Sequence, residues 1–208
     1  MSGEGPGLED AYSLETPEDS VRLYRGWAET YDSEFAQSHG YLYADAVART
    51  FLGAGGQGPV LDIGAGTGLV AEGLKGLEVD GLDISPEMLA VAAGKGLYRR
   101  TITADLTRPL DLPDAAYAGL VSAGTFTHGH VNADCLPELL RIARPGAVFA
   151  LGINAQALDG LGFGSALAML VGEGRITPVR FALTRIYAEG AGHEHADDRA
   201  LIAVFEKL

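Results

Sequence analysis

Val60-Leu61-Asp62-Ile63-Gly64-Ala65-Gly66-Thr67-Gly68-Leu69 is the stretch that decides how this chain is read. Its first four residues are apolar apart from Asp62 and run into glycine, the pattern of a short parallel strand buried on both faces. Glycines at 64, 66 and 68 let the backbone turn sharply and pass close to a ligand. A helix expected near 67–76 would aim its N-terminal N–H groups at the same place. A plain strand-to-helix turn would use the same glycines, so the residues beyond the loop carry the argument. Asp83 follows Asp62 by 21 residues, at the end of a second strand near 78–83, where a carboxylate can accept both hydroxyls of a ribose. Asp105 comes 22 residues later, after a third strand near 98–104. The three acids then share the carboxyl edge of one parallel sheet, where open α/β folds bind ligands. Each could instead cap a helix.

Outward from this centre the alternation continues. Ser85-Pro86-Glu87 opens a helix, a strand is expected near 117–123, and a helix near 133–143 stops at Arg144-Pro145-Gly146. A strand near 147–153 follows, then a helical stretch over 155–172 despite Gly160, Gly162 and Gly164. Val179–Tyr187 and Ala200–Phe205 are β-rich runs around a polar loop, read as an antiparallel hairpin that closes the sheet. The class is α/β, mostly parallel, with helices on both faces. Two helices precede it. Thr16, Pro17, Glu18 and Asp19 make a helix start, and Val21, Tyr24, Ala28 and Tyr31 share one face. Tyr41, Ala44, Val47, Ala48 and Phe51 repeat the pattern. Residues 1–15 are expected to be poorly ordered, and 16–208 to form one domain, with 16–58 a helical lid on an α/β core of 59–208.

Composition narrows the partners. The 208 residues suit one compact domain, and the formal net charge is −13. A field of that sign repels phosphate backbones and anionic membranes, so neither nucleic acid nor a membrane is an expected partner. The chain shows no long apolar run and no basic, apolar leader at its start, and the expected location is cytoplasmic. One cysteine, Cys135, can form neither an internal disulfide nor a cysteine-rich zinc site. Glycine, 29 of 208 residues, is roughly double the usual ~7%, as expected where backbone must approach a ligand. Oligomeric state is not legible.

The order of motifs resembles the class I S-adenosylmethionine-dependent methyltransferases. Val60–Leu69 is similar to their first motif, Gly81–Leu89 to the segment with the ribose-binding acid, Ala104-Asp105-Leu106 to the adenine-contacting stretch, and Leu139–Gly146 to the run before their fifth strand. Tyr24–Asp32 and Gly124–Val131 are similar to segments of small-molecule members, including the Williams–Beuren-region methyltransferase-like branch. The resemblance implies a Rossmann-like sheet and S-adenosylmethionine as cofactor. It implies that Gly64, Ala65 and Gly66 lie against the methionine moiety and that Asp62 positions its amino group, directly or through water. Asp83 would hold the ribose, Ile84 and Met88 would pack by the adenine, Asp105 would accept from the adenine amino group, and Leu106 would lie beside the ring. Ser122 and Ala123 would face the sulfonium.

The implied activity is methyl transfer to a small-molecule acceptor. The donor is already activated, so alignment does most of the work, and a base is needed only if the acceptor must lose a proton. His128 and His130 follow the fourth strand and are the candidate acceptor-orienting or proton-removing residues. Two histidines without a third ligand do not make a metal site, and none is expected. His193 and His195 fall in the polar hairpin loop, where solvation is expected. Tyr24, Trp27 and Tyr31 supply an aromatic group for the lid, or simply a packed face. Two other readings compete. A nicotinamide-dependent oxidoreductase would need G-x-G-x-x-G, where this chain has Leu69 in place of the last glycine. A protein that binds the nucleoside without catalysis would keep the same cofactor residues.

Overall fold

The structure is a computed structural model that describes residues 16, 19, 21–23, 25, 28, 31, 39–127 and 131–208. Two layers of helix enclose one twisted sheet of seven strands. β1 (Val60–Ile63) is the centre and is buried throughout. It pairs in parallel with β2 (Val79–Asp83) on one side and β4 (Tyr117–Phe126) on the other, while β3 (Arg100–Thr103) lies beyond β2. β5 (Ala143–Asn154) extends the parallel set from β4. The order is β3-β2-β1-β4-β5-β7-β6, with β6 at Arg180–Arg185 and β7 at Arg199–Glu206. β7 is antiparallel to both β5 and β6, so β6 runs with the parallel strands and β7 alone runs against them. The closing hairpin expected from the two β-rich runs is present.

The first fully described helix, α1 (Tyr43–Gly53), puts Tyr43, Ala44, Val47, Ala48 and Phe51 on one buried face. They pack with Val60, Val70, Val121 and Ile202 on one side of the sheet. Glycines make this fit: a Cβ on Gly119 would collide with the Phe51 ring, and one on Gly152 with the Tyr43 phenol. Of the segment 16–58 read as a lid, this helix is therefore a core element. Residues 1–15 lie outside the described residues.

Several expected helices are shorter than their sequence pattern. Only Leu69–Glu72 of the stretch 67–76 is helical (α2), between glycines at 68 and 73. α3 (Pro86–Gly94) begins where expected, with Ser85 Oγ accepting from Met88 N–H at 3.3 Å. The stretch 133–143 is a 3₁₀ turn (Ala133–Cys135) followed by α4 (Leu136–Ile142). The stretch 155–172 divides into α5 (Ala155–Gly160) and α6 (Phe163–Gly172), broken at Gly162, whose φ of +74° no continuous helix allows. α4 and α6 bury Leu139, Ile142, Phe163 and Leu167 against the other side of the sheet.

At the N-terminus Thr16 Oγ1 accepts from Asp19 N–H at 3.1 Å, and Thr16 N–H donates back to Asp19 Oδ2 at 3.1 Å. This reciprocal cap is the helix start expected there. Among the described residues no helix is long and apolar enough to cross a membrane.

Candidate cofactor site

A cavity opens at the carboxyl edge of the sheet, where the connections from β1 and β4 leave in opposite directions. It runs from Ala104-Asp105-Leu106 after β3, past Asp83 and Ile84, over Gly64–Thr67, to Ala123–Thr127 at the end of β4. Tyr31 and Tyr41 wall the side away from the sheet. The sequence expectation of one shared edge is thus realised for Asp83 and Asp105, while Asp62 sits directly beneath it in β1.

Asp83 is half-buried at the end of β2 and already part of the loop's architecture. Its Oδ2 accepts from Gly66 N–H at 2.8 Å and its Oδ1 from Ser85 N–H at 2.9 Å. Burial raises its pKa, and the N–H groups of Ser85, Gly66 and Ile84 oppose that rise. Each oxygen keeps a lone pair for a further donor. Asp105 Oδ1 is taken by Thr107, from N–H at 2.8 Å and from Oγ1 at 2.7 Å. Asp105 thus closes the turn after β3 and caps no helix, and Oδ2, 3.5 Å from Arg108 Nε, is the atom left toward a ligand. Ile84, Met88 and Leu106 line the cavity.

The glycine loop is tightly fitted. Gly64 has φ +65°, and a Cβ there would overlap Thr125 Oγ1. Thr125 reaches this position because β4 is irregular. Ser122 pairs with Leu151 and Phe126 with Ile153, so four steps of β4 face two of β5. The bulge, with Gly124 at φ +89°, lifts Ala123, Gly124 and Thr125 over the cavity. Thr125 Oγ1 donates to the Ile63 carbonyl at 3.0 Å and Ser122 Oγ to the same oxygen at 2.8 Å. Of the two residues expected by the sulfonium, Ser122 is fully buried behind the cavity wall and Ala123 is in the wall. The bulge separates these neighbours.

Asp62 is fully buried. Its Oδ2 accepts from Tyr98 Oη at 2.6 Å, while Oδ1 has no partner among the described residues. Burial, opposed by the Tyr98 hydrogen bond and aided by the Asp83 charge, pushes its pKa up to about 7. Tyr98 was missed from sequence, because it lies in no motif. The one available signal is the glycine at 81: a Cβ there would stand 3.0 Å from the Tyr98 ring.

Tyr24, Trp27, His128 and His130 lie outside the described residues. Tyr31 is in the wall. Tyr41, Thr125 and Thr127 are wall residues that the motifs did not single out. His193 is not solvated as expected. Both ring nitrogens are buried with no partner among the described residues, and the ring stands edge-on to His39 and Tyr187 at 5.1 and 4.6 Å. His195 Nδ1 faces Asp198 Oδ2 at 3.1 Å. Among the described residues no group of three or more His, Cys, Asp or Glu could hold a metal ion. The Cys135 thiol is buried and its pKa is pushed up to about 12, which leaves it a poor nucleophile.

A family model for the methyltransferase domain matches residues 61–151, which span the glycine loop, all three acids and the β4 bulge. Residues 61–151 therefore carry a methyltransferase domain, and its motifs are those of the class I S-adenosylmethionine-dependent type. Human methyltransferase-like protein 27 is 31% identical over 138 residues, 63% of this chain and 56% of that protein, so the chain spans little more than half of its curated relative. A SAM-dependent methyltransferase of Thermotoga maritima shares the fold with a TM-score of 0.64 at 15% identity, covering 90% of this chain and 98% of that one. A protein of Methanococcus maripaludis described as an S-adenosyl-L-methionine-dependent methyltransferase gives 0.59 at 16%, covering 100% and 98%. The nicotinamide alternative is set aside on this match. The residues present fit the family's cofactor. A strand-end carboxylate, a loop with no room for a Cβ and an orphaned buried carboxylate oxygen suit a ribose, a closely approaching chain and a cationic amine.

Proposed function

We propose that this protein transfers a methyl group from S-adenosylmethionine to a small acceptor seated between the β4 bulge and the Tyr31–Tyr41 wall. The observation that carries this reading is the wall itself: Ala123, Gly124, Thr125 and Thr127 line the same cavity as the glycine loop, Asp83, Tyr31 and Tyr41. When bound, S-adenosylmethionine supplies a methyl carbon activated on a sulfonium. Asp83 holds the ribose hydroxyls, Ile84, Met88 and Leu106 cover the adenine, and Asp62 answers the amino group. Tyr31 and Tyr41 exclude water, and the Thr125 and Thr127 hydroxyls, which donate to the Ile63 and Gly124 carbonyls, keep lone pairs for a donor on the acceptor. The acceptor's lone pair would form the new bond to that carbon, the carbon–sulfur pair would stay on sulfur, and any acceptor proton would go to a base. His130, with His128, is the base we propose.

The charged residues of the described wall are Asp83 and Asp105. That favours a neutral or cationic acceptor over an anion, in keeping with the net charge of −13 and with a small molecule rather than nucleic acid as partner. The test is production of S-adenosylhomocysteine, followed by mass spectrometry, against a panel of amines, phenols, thiols and carboxylates. Turnover confined to amines, phenols or thiols is expected. Cofactor binding with no product on any acceptor overturns catalysis in favour of a binding role.

A further inference from the structure

Tyr98 belongs to no motif of the site, yet its placement is elaborate. It comes between α3 and β3, and its ring lies over two glycines, Gly81 of β2 and Gly68 of the loop. A Cβ on either would stand 3.0 or 3.3 Å from ring carbons. Larger residues at both positions would push the ring away. Its Oη reaches beneath the loop to Asp62 Oδ2 at 2.6 Å. Burial raises the Tyr98 pKa, with the Asp62, Asp83 and Glu72 charges adding to the rise, so the phenol stays protonated and can only donate to Asp62. The carboxylate is thereby used on one side and unpaired on the other, since Oδ1 is buried without a partner among the described residues. An ionised, half-paired carboxylate at zero exposure is costly unless a cation arrives.

Among the described residues no cation faces it from the surrounding elements. β2 contributes Asp83, and α2 contributes Glu72, which faces the phenol and is itself paired with Lys95 Nζ at 2.9 Å. α1, on the same side of the sheet, buries Ala44, Val47, Ala48 and Phe51. We propose that Tyr98 is a positioning residue: it fixes Asp62 through Oδ2 so that Oδ1 is reserved for the ammonium group of the cofactor, directly or through one water. This rests on the assignment of Asp62 to that amino group. Selectivity for a ligand with an amino acid tail is then set partly by a tyrosine outside the cavity.

Binding of S-adenosylhomocysteine and of 5′-methylthioadenosine, which lacks the amino acid tail, separates this role from a packing role. Calorimetry on Tyr98→Phe, which keeps the ring, is expected to show about tenfold weaker S-adenosylhomocysteine binding and methylthioadenosine affinity within about twofold of wild type. Wild-type affinity for S-adenosylhomocysteine should rise with pH through about 7 as Asp62 ionises, and in Tyr98→Phe the rise should move to higher pH. Gly81→Ala, which presses on the ring from the β2 side, should give the same selective loss and serves if Tyr98→Phe does not fold. Equal loss for both ligands, or no loss for either, overturns the proposal. Asp62→Asn distinguishes the two levels: if it spares S-adenosylhomocysteine, the assignment of Asp62 falls and the proposal with it. If it is selective while Tyr98→Phe and Gly81→Ala are not, the role of Tyr98 alone falls.

Discussion

Gly66 N–H donates to Asp83 Oδ2 at 2.8 Å, so the loop after β1 and the acid at the end of β2 form one unit. Asp83→Ala removes a ribose partner and frees the loop at the same time. Affinity for S-adenosylhomocysteine should fall roughly ten- to a hundredfold, about 1.5–3 kcal/mol. Calorimetry that returns wild-type affinity would remove Asp83 from the site.

The buried Asp62 sets a pH dependence of stability. Its folded-state pKa, about 7, lies above the ordinary 3.8, so between those values the folded protein holds a proton that the unfolded chain has lost. Its contribution is therefore most favourable at low pH, declines by up to about 1.4 kcal/mol per pH unit through the window, and is flat above it. Asp62→Asn retains an acceptor for Tyr98 without the charge. Its melting temperature relative to wild type should be several degrees more favourable at pH 8 than at pH 5, measured without cofactor. The same difference at both values would show that the carboxyl ionises normally.

Gly64→Ala carries two penalties, collision with Thr125 Oγ1 and a side chain at φ +65°. The left-handed conformation alone costs about 1–2 kcal/mol. In a Thr125→Ala background the overlap with Oγ1 goes, while a close 3.1 Å approach to the remaining Cβ and the backbone cost stay, so thermal stability should recover only in part. Full recovery would mean that the loop can change its backbone.

Arg25 Nε donates to Glu87 Oε1 at 2.9 Å, which ties the N-terminal segment to the start of α3 beside Met88. Tyr31, further along that segment, lines the cavity. If this part of 16–58 closes on the cofactor, proteolysis between residues 16 and 40 should slow when S-adenosylhomocysteine is added. The exposed Arg25–Glu87 pair contributes little alone, so Arg25→Ala should reduce the protection only slightly. Identical cleavage with and without ligand would refute closure.

What could be read from sequence follows from the range of each signal. The strand ends with their acids, the Ser85 cap and the Thr16 cap are local features, written within a few residues. Tyr98 beneath the loop is not local: its hydroxyl meets a carboxylate 36 residues earlier, and only the fold brings them together. Ser122 and Ala123 look equivalent in sequence, and the bulge that buries one and exposes the other depends on the register against β5. His193 reads as solvated because its own loop is polar. The rings that cover it, His39 and Tyr187, come from two other segments.

β7 is the last strand in the chain, yet it lies between β5 and β6. β6 therefore has no partner during synthesis until residues 199–206 have emerged, and β5 keeps an open edge for the same interval. The seven residues that β7 pairs with on β5 and the six on β6 are joined in one late insertion. Until that strand arrives, the cavity edge built by β1 to β4 can assemble while Phe149, Leu151 and Ile153 of β5 lack their partners on β7. The apolar edge exposed in that interval is where a nascent chain of this topology is most open to mispairing or to a chaperone.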